Sequence, residues 1–484
     1  MSILSLEYLL FVAAAFAAYY LLPLRRRWWA LLAASAAFYC LSGWRGAAYL
    51  GAVTCVTWLG ALGIARFSRG RKALLGCVLT LTLGAMAFLK YAGFWVSGLW
   101  LPLGLSWFTF QSAGYVIDVY RRKASPERNP ARYLLFVSFF PQMAQGPIST
   151  YGQLTPQLFE GHMLQPQQVQ RGVVMMAWGY FKKLVIADRL AAVTTYALSG
   201  VEQPGWLPLL AAVVYMLRLY ADFSGGMDVI RGTAAMLGID MTENFRRPFF
   251  ARSVADYWRR WHISLGAWFR SCLLYPFATS RAGLAVGRGA SRVMGKKLGR
   301  LMPSVLATLV IFLLIGLWHG ASWNAALYGL YFGLVMSGGM LLEPWLKAAK
   351  RRLGIPAKHP ALAALGLIRT WLAVALAQFF AFAQDTPQAL SLLGHVFQGW
   401  TGFGVVETLL AVMPALEWWI ALGGLALLGV VDALNERGAD VEGRLARGSL
   451  LARWPVLVAL IVAIVVLGCY GDGFDGSSFL YTQF

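Results

Sequence analysis

One stretch in the second half of the chain decides the fold class: residues 302–320 read MPSVLATLVIFLLIGLWHG. Residues 302–318 carry no charged side chain, and a run of this length suits a helix that crosses the hydrocarbon core of a bilayer. The run ends at His319, and an ionisable group in a membrane segment is costly unless it has a partner or a task. The stretch therefore predicts a membrane-spanning helix with a histidine of interest at one end.

The rest of the chain has the same character. Of its 484 residues 59% are hydrophobic and only 13% are charged, and the mean hydropathy is +0.60. Soluble domains carry about 25% charged residues. Further apolar runs of spanning character occupy residues 6–22, 28–43, 47–65, 73–96, 101–120, 133–148, 173–198, 207–223, 323–342, 361–383, 418–434 and 454–470, with a shorter run at 405–413. The sequence predicts an all-α, polytopic helical membrane protein with roughly eleven to thirteen segments.

No internal repeat or low-complexity linker divides the chain. We therefore expect a single membrane-embedded domain over residues 1–484, with one long non-spanning insertion at about 242–300. This insertion contains twelve lysines or arginines against Glu243 and Asp256, and such a bias predicts the cytoplasmic side. The following segment then leaves that side, so His262 and His319 are expected at different depths in the membrane.

The net charge of +21 follows a topological pattern. Basic residues lie at the ends of apolar runs, at 25–27, 66–72, 121–123, at Lys182 and Lys183, and at 347–352. The positive-inside rule explains this pattern, with attraction to anionic membrane lipid, so no nucleic-acid partner is predicted. The first run precedes its positive charges, which is unlike a cleavable signal and predicts an outside N-terminus. The predicted location is the plasma membrane, with multiple passes.

Few residues have the chemistry for catalysis. His319 has a neutral imidazole near neutral pH and is suited to take a proton from a hydroxyl, although an interfacial histidine capping the span is the alternative. His262 shares one helical face with Trp258, Trp261 and Leu265, which suits either a catalytic helix or an interfacial amphipathic one. The remaining histidines, His162, His359 and His395, are expected in solvated loops. Ser224 is interpreted as a helix end near a polar cavity rather than a nucleophile.

Metal and disulfide chemistry is not indicated. The five cysteines show no metal-ligand spacing, and four of them lie in apolar runs, so they are interpreted as small buried hydrophobic residues. No His-x-x-His pair, no Gly-x-Ser-x-Gly elbow and no Walker loop is present. We predict no metal site.

Several motifs in order resemble the membrane-bound O-acyltransferase family. The main one is Tyr-Trp-Arg-Arg-Trp-His-Ile-Ser-Leu at residues 257–265, followed by Trp-Phe-Arg at 268–270. The supporting stretches are FFP at 139–141, GPI at 146–148, YADFSG at 220–225, ENF at 243–245, RPF at 247–249, GLWHG at 316–320, FLY at 479–481 and QF at 483–484. The resemblance is closest to the bacterial branch that contains the alginate O-acetylation protein and the D-alanyl transferase of teichoic acids.

The resemblance implies a helical bundle around a tunnel, with His319 as the catalytic base and His262 as a second catalytic polar residue. It also implies supporting or tunnel-lining roles for Asp222, Ser224, Asn244, Trp258, Trp261 and Trp318. The family takes an acyl group from a cytosolic thioester, acetyl-coenzyme A or an acyl carrier protein, with no bound cofactor, and this branch delivers it to an acceptor outside the membrane. Accessory secretion or acyl-relay proteins are expected partners.

The chain departs from alginate-type relatives after Arg270. Those proteins usually continue with an aspartate and a Tyr-Ile-Pro-Leu-Gly-Gly run, whereas this chain reads SCLLYPFAT at 271–279. Alginate is therefore not assigned as the substrate. The sequence predicts acyl transfer, with acetyl as the expected group, to a cell-surface or secreted polysaccharide. D-alanyl transfer to teichoic acid from a carrier protein is the alternative, and a transporter or flippase is the alternative of another class.

Overall fold

The computed structural model describes residues 1–92, 101–143, 145–354, 356, 359–400 and 404–470. The regular structure in these ranges is helical, with no strand, which confirms the all-α prediction. The motifs at 479–481 and 483–484 lie outside the described residues.

The helices up to residue 236 include most of the apolar runs that the sequence predicts in the N-terminal half of the chain. They are α1 Leu6–Leu21, α2 Arg27–Ser42, α3 Trp44–Arg66, α4 Arg71–Tyr91, α5 Leu105–Tyr120, α6 Pro130–Ser138, α7 Phe140–Met143, α8 Tyr151–Glu160, α9 Pro166–Tyr180, α10 Asp188–Ala197 and α11 Trp206–Met236. A π-helical segment, Phe181–Ala187, joins α9 to α10.

The helices after residue 236 begin with short ones in the basic insertion and continue with long apolar ones. They are α12 Val254–Arg260, α13 Ile263–Phe269, α14 Tyr275–Thr279, α15 Arg281–Gly299, α16 Met302–His319, α17 Trp323–Arg352, α18 Pro360–Phe382, α19 Thr386–His395, α20 Val405–Val412, α21 Ala415–Glu436, α22 Val441–Arg447 and α23 Leu450–Leu467. A second π-helical segment, Arg270–Leu274, follows α13.

Eight of the described helices combine the length and the hydropathy that a membrane crossing requires: α3, α4, α11, α16, α17, α18, α21 and α23. Of these, α23 has a mean hydropathy of 2.6 and none of its apolar window is buried in the protein, as a lipid-facing helix requires. The chain is thus an integral membrane protein with several spanning helices. The larger number of eleven to thirteen segments stays a prediction.

Two compact units make up the described chain. The first comprises Met1–Asp188, Ala221–Glu243 and the part that starts at Ala426. The second comprises Arg189–Tyr220 and Asn244–Leu425. The prediction of one domain over the whole chain stays a prediction.

Glycine contacts bring two helices of the first unit together. A β-carbon on Gly179 of α9 would lie 2.5 Å from the carbonyl oxygen of Gly225 in α11, and one on Gly232 would lie 2.5 Å from that of Gly172. Small residues at such crossings allow helix backbones in a membrane to approach closely. The polar residues of these two helices are therefore held at short distance from each other.

Two expectations about local structure are wrong. Ser224 lies in the interior of α11, which continues past it to Met236, and it does not end a helix. Cys40, Cys55 and Cys77 are exposed on the surfaces of α2, α3 and α4, where lipid rather than protein surrounds an apolar helix face, and only Cys469 is buried. Hydropathy alone does not distinguish a side chain that faces lipid from one that faces protein, because both surroundings are apolar.

Candidate active site

A break in the helix places His262 in the second unit. Ser253 caps the start of α12, α12 ends at Arg260, and His262 adopts φ 45° and ψ 53° before α13 begins. Residues other than glycine seldom adopt this left-handed conformation, and they retain it where the surrounding structure determines it. The prediction of one continuous helical face through Trp258, Trp261 and His262 is therefore wrong, although Trp261 and His262 are both buried.

Asn244 is the residue that determines this break. Its backbone carbonyl accepts a hydrogen bond from the N–H of Ile263 at 3.0 Å, and its side-chain Oδ1 accepts one from the N–H of Ser264 at 2.9 Å. Two residues further on, the N–H of Arg246 donates to the carbonyl of Arg260 at 2.8 Å. These contacts tie the segment before α12 to the chain on both sides of His262. Asn244 therefore holds the backbone on both sides of His262, and its supporting role in catalysis stays a prediction.

The same side chain orients the imidazole of His262. Because the backbone N–H of Ser264 donates to Oδ1, the amide of Asn244 presents its oxygen to this neighbourhood, and Oδ1 lies 3.4 Å from Nδ1 of His262. Nδ1 therefore carries the hydrogen, and Nε2 carries the lone pair. Burial, and second the nearby charge of His319, holds the pKa of His262 well below its usual 6.5, so this imidazole is neutral at neutral pH.

Aromatic rings enclose the histidine. The ring centroid of Trp318 lies 6.2 Å from that of His262 and 4.8 Å from that of His319. Trp261 stacks on Tyr257 at 5.5 Å, and Trp258 contacts Phe312 of α16 at 5.0 Å. These contacts give the site apolar walls, in which electrostatic interactions are stronger than in water.

The hairpin of α16 and α17 fixes His319. A β-carbon on Gly316 would lie 2.2 Å from the carbonyl oxygen of Ala325, and one on Gly329 would lie 2.3 Å from that of Phe312. The two helices are therefore in backbone contact one turn before His319. Gly316 thus allows the helices to pack, whereas a β-carbon on Gly320 would have the Cβ of Ala325 as its nearest neighbour, 3.9 Å away.

The two histidines share one neighbourhood, so their expected separation in depth is wrong. His262 contacts Trp318 at the far end of α16, and His319 follows Trp318 directly. Within the basic insertion, Trp258 packs on Phe312 of α16 although the arginines Arg259 and Arg260 follow it directly. Charge counting over the whole insertion cannot show this, because its aromatic residues and its arginines occupy different places.

Asp222 and Ser224 belong to a charged cluster of the first unit. Lys183 pairs with Asp222 at 2.8 Å and with Asp188 at 2.7 Å, while Lys182 pairs with Asp228 at 2.6 Å and donates to Ser224 at 2.9 Å. Lys182 and Lys183 are 3% and 2% exposed, so their interpretation as topological charges at the end of an apolar run is wrong. The sequence signal for the cluster is the pair of lysines followed by Asp188 within an apolar stretch.

The other three histidines differ in their surroundings. His162 is half-buried and its ring contacts the carbonyl of Gln157 at 2.7 Å, and His359 accepts a hydrogen bond from the N–H of Ala361 at the start of α18. His395 contacts the carbonyl of Gln203 at 2.7 Å and lines a cleft. The expectation of a solvated loop is therefore wrong for His162 and His395, whose rings form specific protein contacts.

Comparison with known proteins places these residues in a family context. Residues 126–282 match the model of the membrane-bound O-acyltransferase family, MBOAT. The match includes Asp222, Ser224, Asn244 and His262, and it ends before His319.

Individual relatives extend the similarity over most of the chain. The chain is 30% identical to a probable alginate O-acetylase AlgI from Azotobacter vinelandii over 421 residues, which are 81% of this chain and 78% of that protein. It is 28% identical to a peptidoglycan O-acetyltransferase from Helicobacter pylori over 304 residues, 54% of each chain. It is 27% identical to a teichoic acid D-alanyltransferase from Bacillus subtilis over 258 residues, 51% of this chain and 61% of that protein.

Proposed function

The chain belongs to the membrane-bound O-acyltransferase family, and on that premise we propose that it moves an acetyl group from a cytosolic thioester to a hydroxyl of a cell-surface or secreted polysaccharide. O-acyl transfer is the reaction class of the family and of the acetyltransferase relatives. Family membership also favours an enzyme over the transporter alternative. The acetyl group, the thioester and the acceptor side belong to the proposal.

The observation that carries the proposal is the pair of imidazoles, His262 and His319, that both contact Trp318. His319 accepts the proton of the acceptor hydroxyl while the hydroxyl oxygen bonds to the thioester carbonyl carbon. The carbon–sulfur bond then breaks, and the leaving sulfur takes the proton back from His319. The reaction consumes no net proton, so one base that returns its proton is sufficient.

His262 acts beside His319 as a neutral group. Its lowered pKa keeps it uncharged while its neighbour carries the transferred proton, because a second positive charge in the same buried place is unfavourable. The bond from Nδ1 to Asn244 directs the Nε2 lone pair away from that amide. His262 then accepts a hydrogen bond and helps to position the hydroxyl.

The donor side of the proposal rests on charge. The basic insertion at 242–300 suits an anionic thioester carrier, either acetyl-coenzyme A or an acyl carrier protein. We also propose that the protein lies in the plasma membrane with its N-terminus outside, and that accessory secretion or acyl-relay proteins pass the product on. The similarity to a teichoic acid D-alanyltransferase supports D-alanyl transfer from a carrier protein as the second candidate.

The test is the amount of base-labile ester on surface and secreted polymers, measured by mass spectrometry. We expect His319→Ala, at equal expression, to lower one ester species by about 10²–10⁴-fold, the usual contribution of a general base. The mass of the missing group distinguishes acetyl from D-alanyl. His359→Ala is the matched control, because that histidine caps α18 and is exposed. An unchanged ester level in folded, membrane-inserted His319→Ala would contradict the mechanism.

A further inference from the structure

A polar cleft of about 550 Å³ lies in the second unit, between the connection from α10 to α11 and the end of α19. Its volume is within the usual range of small-molecule sites, about 300–1,000 Å³. The polar side chains that line it are Glu202, Gln203, Gln388, Ser391, His395 and Gln398. None of the residues used in the proposed mechanism is among them.

The walls of the cleft are held in place by hydrogen bonds. Nε2 of His395 donates to the carbonyl of Gln203 at 2.7 Å, and the N–H of Gly205 donates to the carbonyl of Gly399 at 3.2 Å. A β-carbon on Gly205 would lie 2.0 Å from the carbonyl oxygen of Gln398, so only glycine allows this close approach. The cleft is therefore preformed, which lowers the entropic cost of binding a ligand.

The amide groups of the cleft have unused hydrogen-bonding capacity. Gln203 is 8% exposed, its Nε2 donates to the carbonyl of Ala197 at 3.1 Å, and its buried Oε1 has no hydrogen-bond partner among the described residues. Oε1 of Gln388 accepts a hydrogen bond from the backbone N–H of Gln384 at 2.8 Å. The Nε2 hydrogens of Gln388 are not used in this bond. The amide hydrogens of Gln388 are therefore the donors that a ligand in the cleft can use.

The charge of the cleft restricts the ligand. No lysine or arginine is among the described residues that line it, and the sequence has none from residue 190 to 217 or from residue 370 to 436, the stretches that form both walls. Glu202 is the acidic side chain among the described lining residues. Polymers of uronate or phosphate would meet a negative charge here and no compensating cation, whereas sugar hydroxyls match the mixed donors and acceptors of glutamine, serine and histidine.

The cleft lies at the end of the α16–α17 hairpin that carries His319. Asn324, in the first turn of α17, donates from Nδ2 to the carbonyl of Ala383 at 3.0 Å and accepts at Oδ1 from Thr386 of α19 at 2.8 Å. Gln388 and Ser391 follow on that same helix. One short path of hydrogen bonds therefore joins the segment after His319 to the wall of the cleft.

We propose that this cleft is an acceptor subsite that binds a neutral, hydroxyl-rich segment of polysaccharide. The inference rests on the proposed function and deepens it, because it assigns a neutral glycan and not a polyuronate or a polyphosphate as the acceptor class. The subsite holds the polymer, and the acetylated hydroxyl reaches His319 from the same end of α16.

The experiment measures binding separately from catalysis. Full-length protein in nanodiscs is titrated with cellohexaose, maltohexaose and chitohexaose as neutral probes and with hexamannuronate as an anionic probe, followed by saturation-transfer NMR against empty nanodiscs. We expect at least one neutral probe to bind and hexamannuronate to bind at least tenfold more weakly. The inference is overturned if no neutral probe binds or if hexamannuronate binds as tightly.

Variants locate the binding. Ser391→Trp fills the cleft from an exposed position, and Gln388→Leu removes amide donors. Each variant is therefore expected to bind the neutral probe at least tenfold more weakly than the wild-type protein does. Gln384→Ala, an exposed glutamine outside the cleft, is expected to leave binding unchanged. Unchanged binding in both cleft variants would overturn the assignment. His319→Ala is expected to retain probe binding, so failure of the catalytic proposal and failure of the subsite give different results.

Discussion

Asn244 determines both the backbone and the ring orientation of His262. Its Oδ1 accepts from the N–H of Ser264 and contacts Nδ1 of His262, while its carbonyl accepts from the N–H of Ile263. No helix or turn propensity predicts such an arrangement, because the residues are 18–20 positions apart in sequence. We therefore expect Asn244 to act as a positioning residue through His262.

Replacement of Asn244 should affect turnover more than substrate binding. For Asn244→Ala we expect kcat for ester formation to fall about 10–100-fold, by analogy with the loss seen when partners that orient metal-bound histidines are removed, with KM little changed. Asn129→Ala, which removes an exposed helix cap, is the control. A raised KM with an unchanged kcat would contradict the positioning role.

The variant Asn244→Asp gives a sharper result from pH dependence. It retains the oxygen acceptor and adds a negative charge beside Nδ1, which raises the pKa of His262 from its lowered value. Since the proposed mechanism requires a neutral His262, the acid limb of the pH–rate profile should move to higher pH relative to the wild-type protein. A lower rate with an unmoved acid limb would show that Asn244 serves only the backbone.

At the scale of elements, the backbones of α16 and α17 approach so closely near the histidines that they leave no space for a side chain at their contact. A side chain on Gly329 meets the backbone of Phe312 at 2.3 Å, whereas nothing lies within 4 Å of a β-carbon on Gly338 in the same helix. We expect Gly329→Val to cost at least about 1–3 kcal/mol of stability, the usual cost of overpacking, and to abolish ester formation by displacing His319.

The matched control for this prediction is Gly338→Val. It makes the same chemical change in the same helix without a neighbour to displace, so thermal unfolding and ester formation should stay close to those of the wild-type protein. Equal effects of the two substitutions would show that the hairpin tolerates separation of its helices and that the backbone contact does not position His319.

The contribution of Glu442, in α22 of the first unit, to stability depends on pH. Burial, and second the charge of Asp228, raises the pKa of Glu442 to about 7, and Arg231, Lys182 and Arg171 oppose this shift. In the unfolded chain the pKa of Glu442 is 4.5. Between pH 4.5 and about 7 the folded protein therefore binds more protons than the unfolded chain does. The contribution of Glu442 to stability is therefore present below pH 4.5 and is lost as the pH rises to about 7.

Glu442→Gln should remove this dependence. Because glutamine keeps the neutral form at every pH, we expect the variant to gain in Tm relative to the wild-type protein as the pH rises from about 5 to about 8. Glu407→Gln, at an exposed position of α20, is the control for the loss of a carboxylate. A constant difference in Tm across this pH range would contradict the raised pKa.

The apolar helices were predictable from sequence because the bilayer sets both their length and their composition. The predicted runs 302–318 and 361–383 agree closely with α16 Met302–His319 and α18 Pro360–Phe382. The continuation of α11 beyond residue 223 was not predictable in this way. Its charged residue Asp228 forms an ion pair with Lys182, which lies 46 positions earlier in the sequence. A hydropathy average is taken over one segment and therefore cannot include a partner this far away.

The candidate site was predictable only as a set of residue types. His262, His319, Asn244 and Trp318 were singled out from an isolated ionisable group and a family resemblance, and the structure brings them together. Their proximity was not predicted, because it depends on the break at His262. That break is stabilised by Asn244 through long-range hydrogen bonds, and a left-handed histidine has no local sequence signal.

For the whole molecule, the distribution of charge makes a prediction about sides of the membrane. The last turn of α17 contains Lys350, Arg351 and Arg352, whereas residues 370–436 contain no lysine or arginine. By the positive-inside rule we expect the end of α17 on the cytoplasmic side. If α18 then crosses the membrane, α19 and the polar cleft should face outwards, on the side where the proposed polysaccharide acceptor lies.

This orientation can be measured by labelling intact cells with a membrane-impermeant maleimide. In a background without native cysteines, Ser391→Cys in the cleft should label in intact cells, and Ala349→Cys near the end of α17 should label only after lysis, because both positions are exposed but on opposite sides. Labelling in the reverse order would place the cleft in the cytosol. The acceptor would then have to be a cytosolic glycan, and the basic insertion would face away from the thioester donor that its charge is proposed to attract.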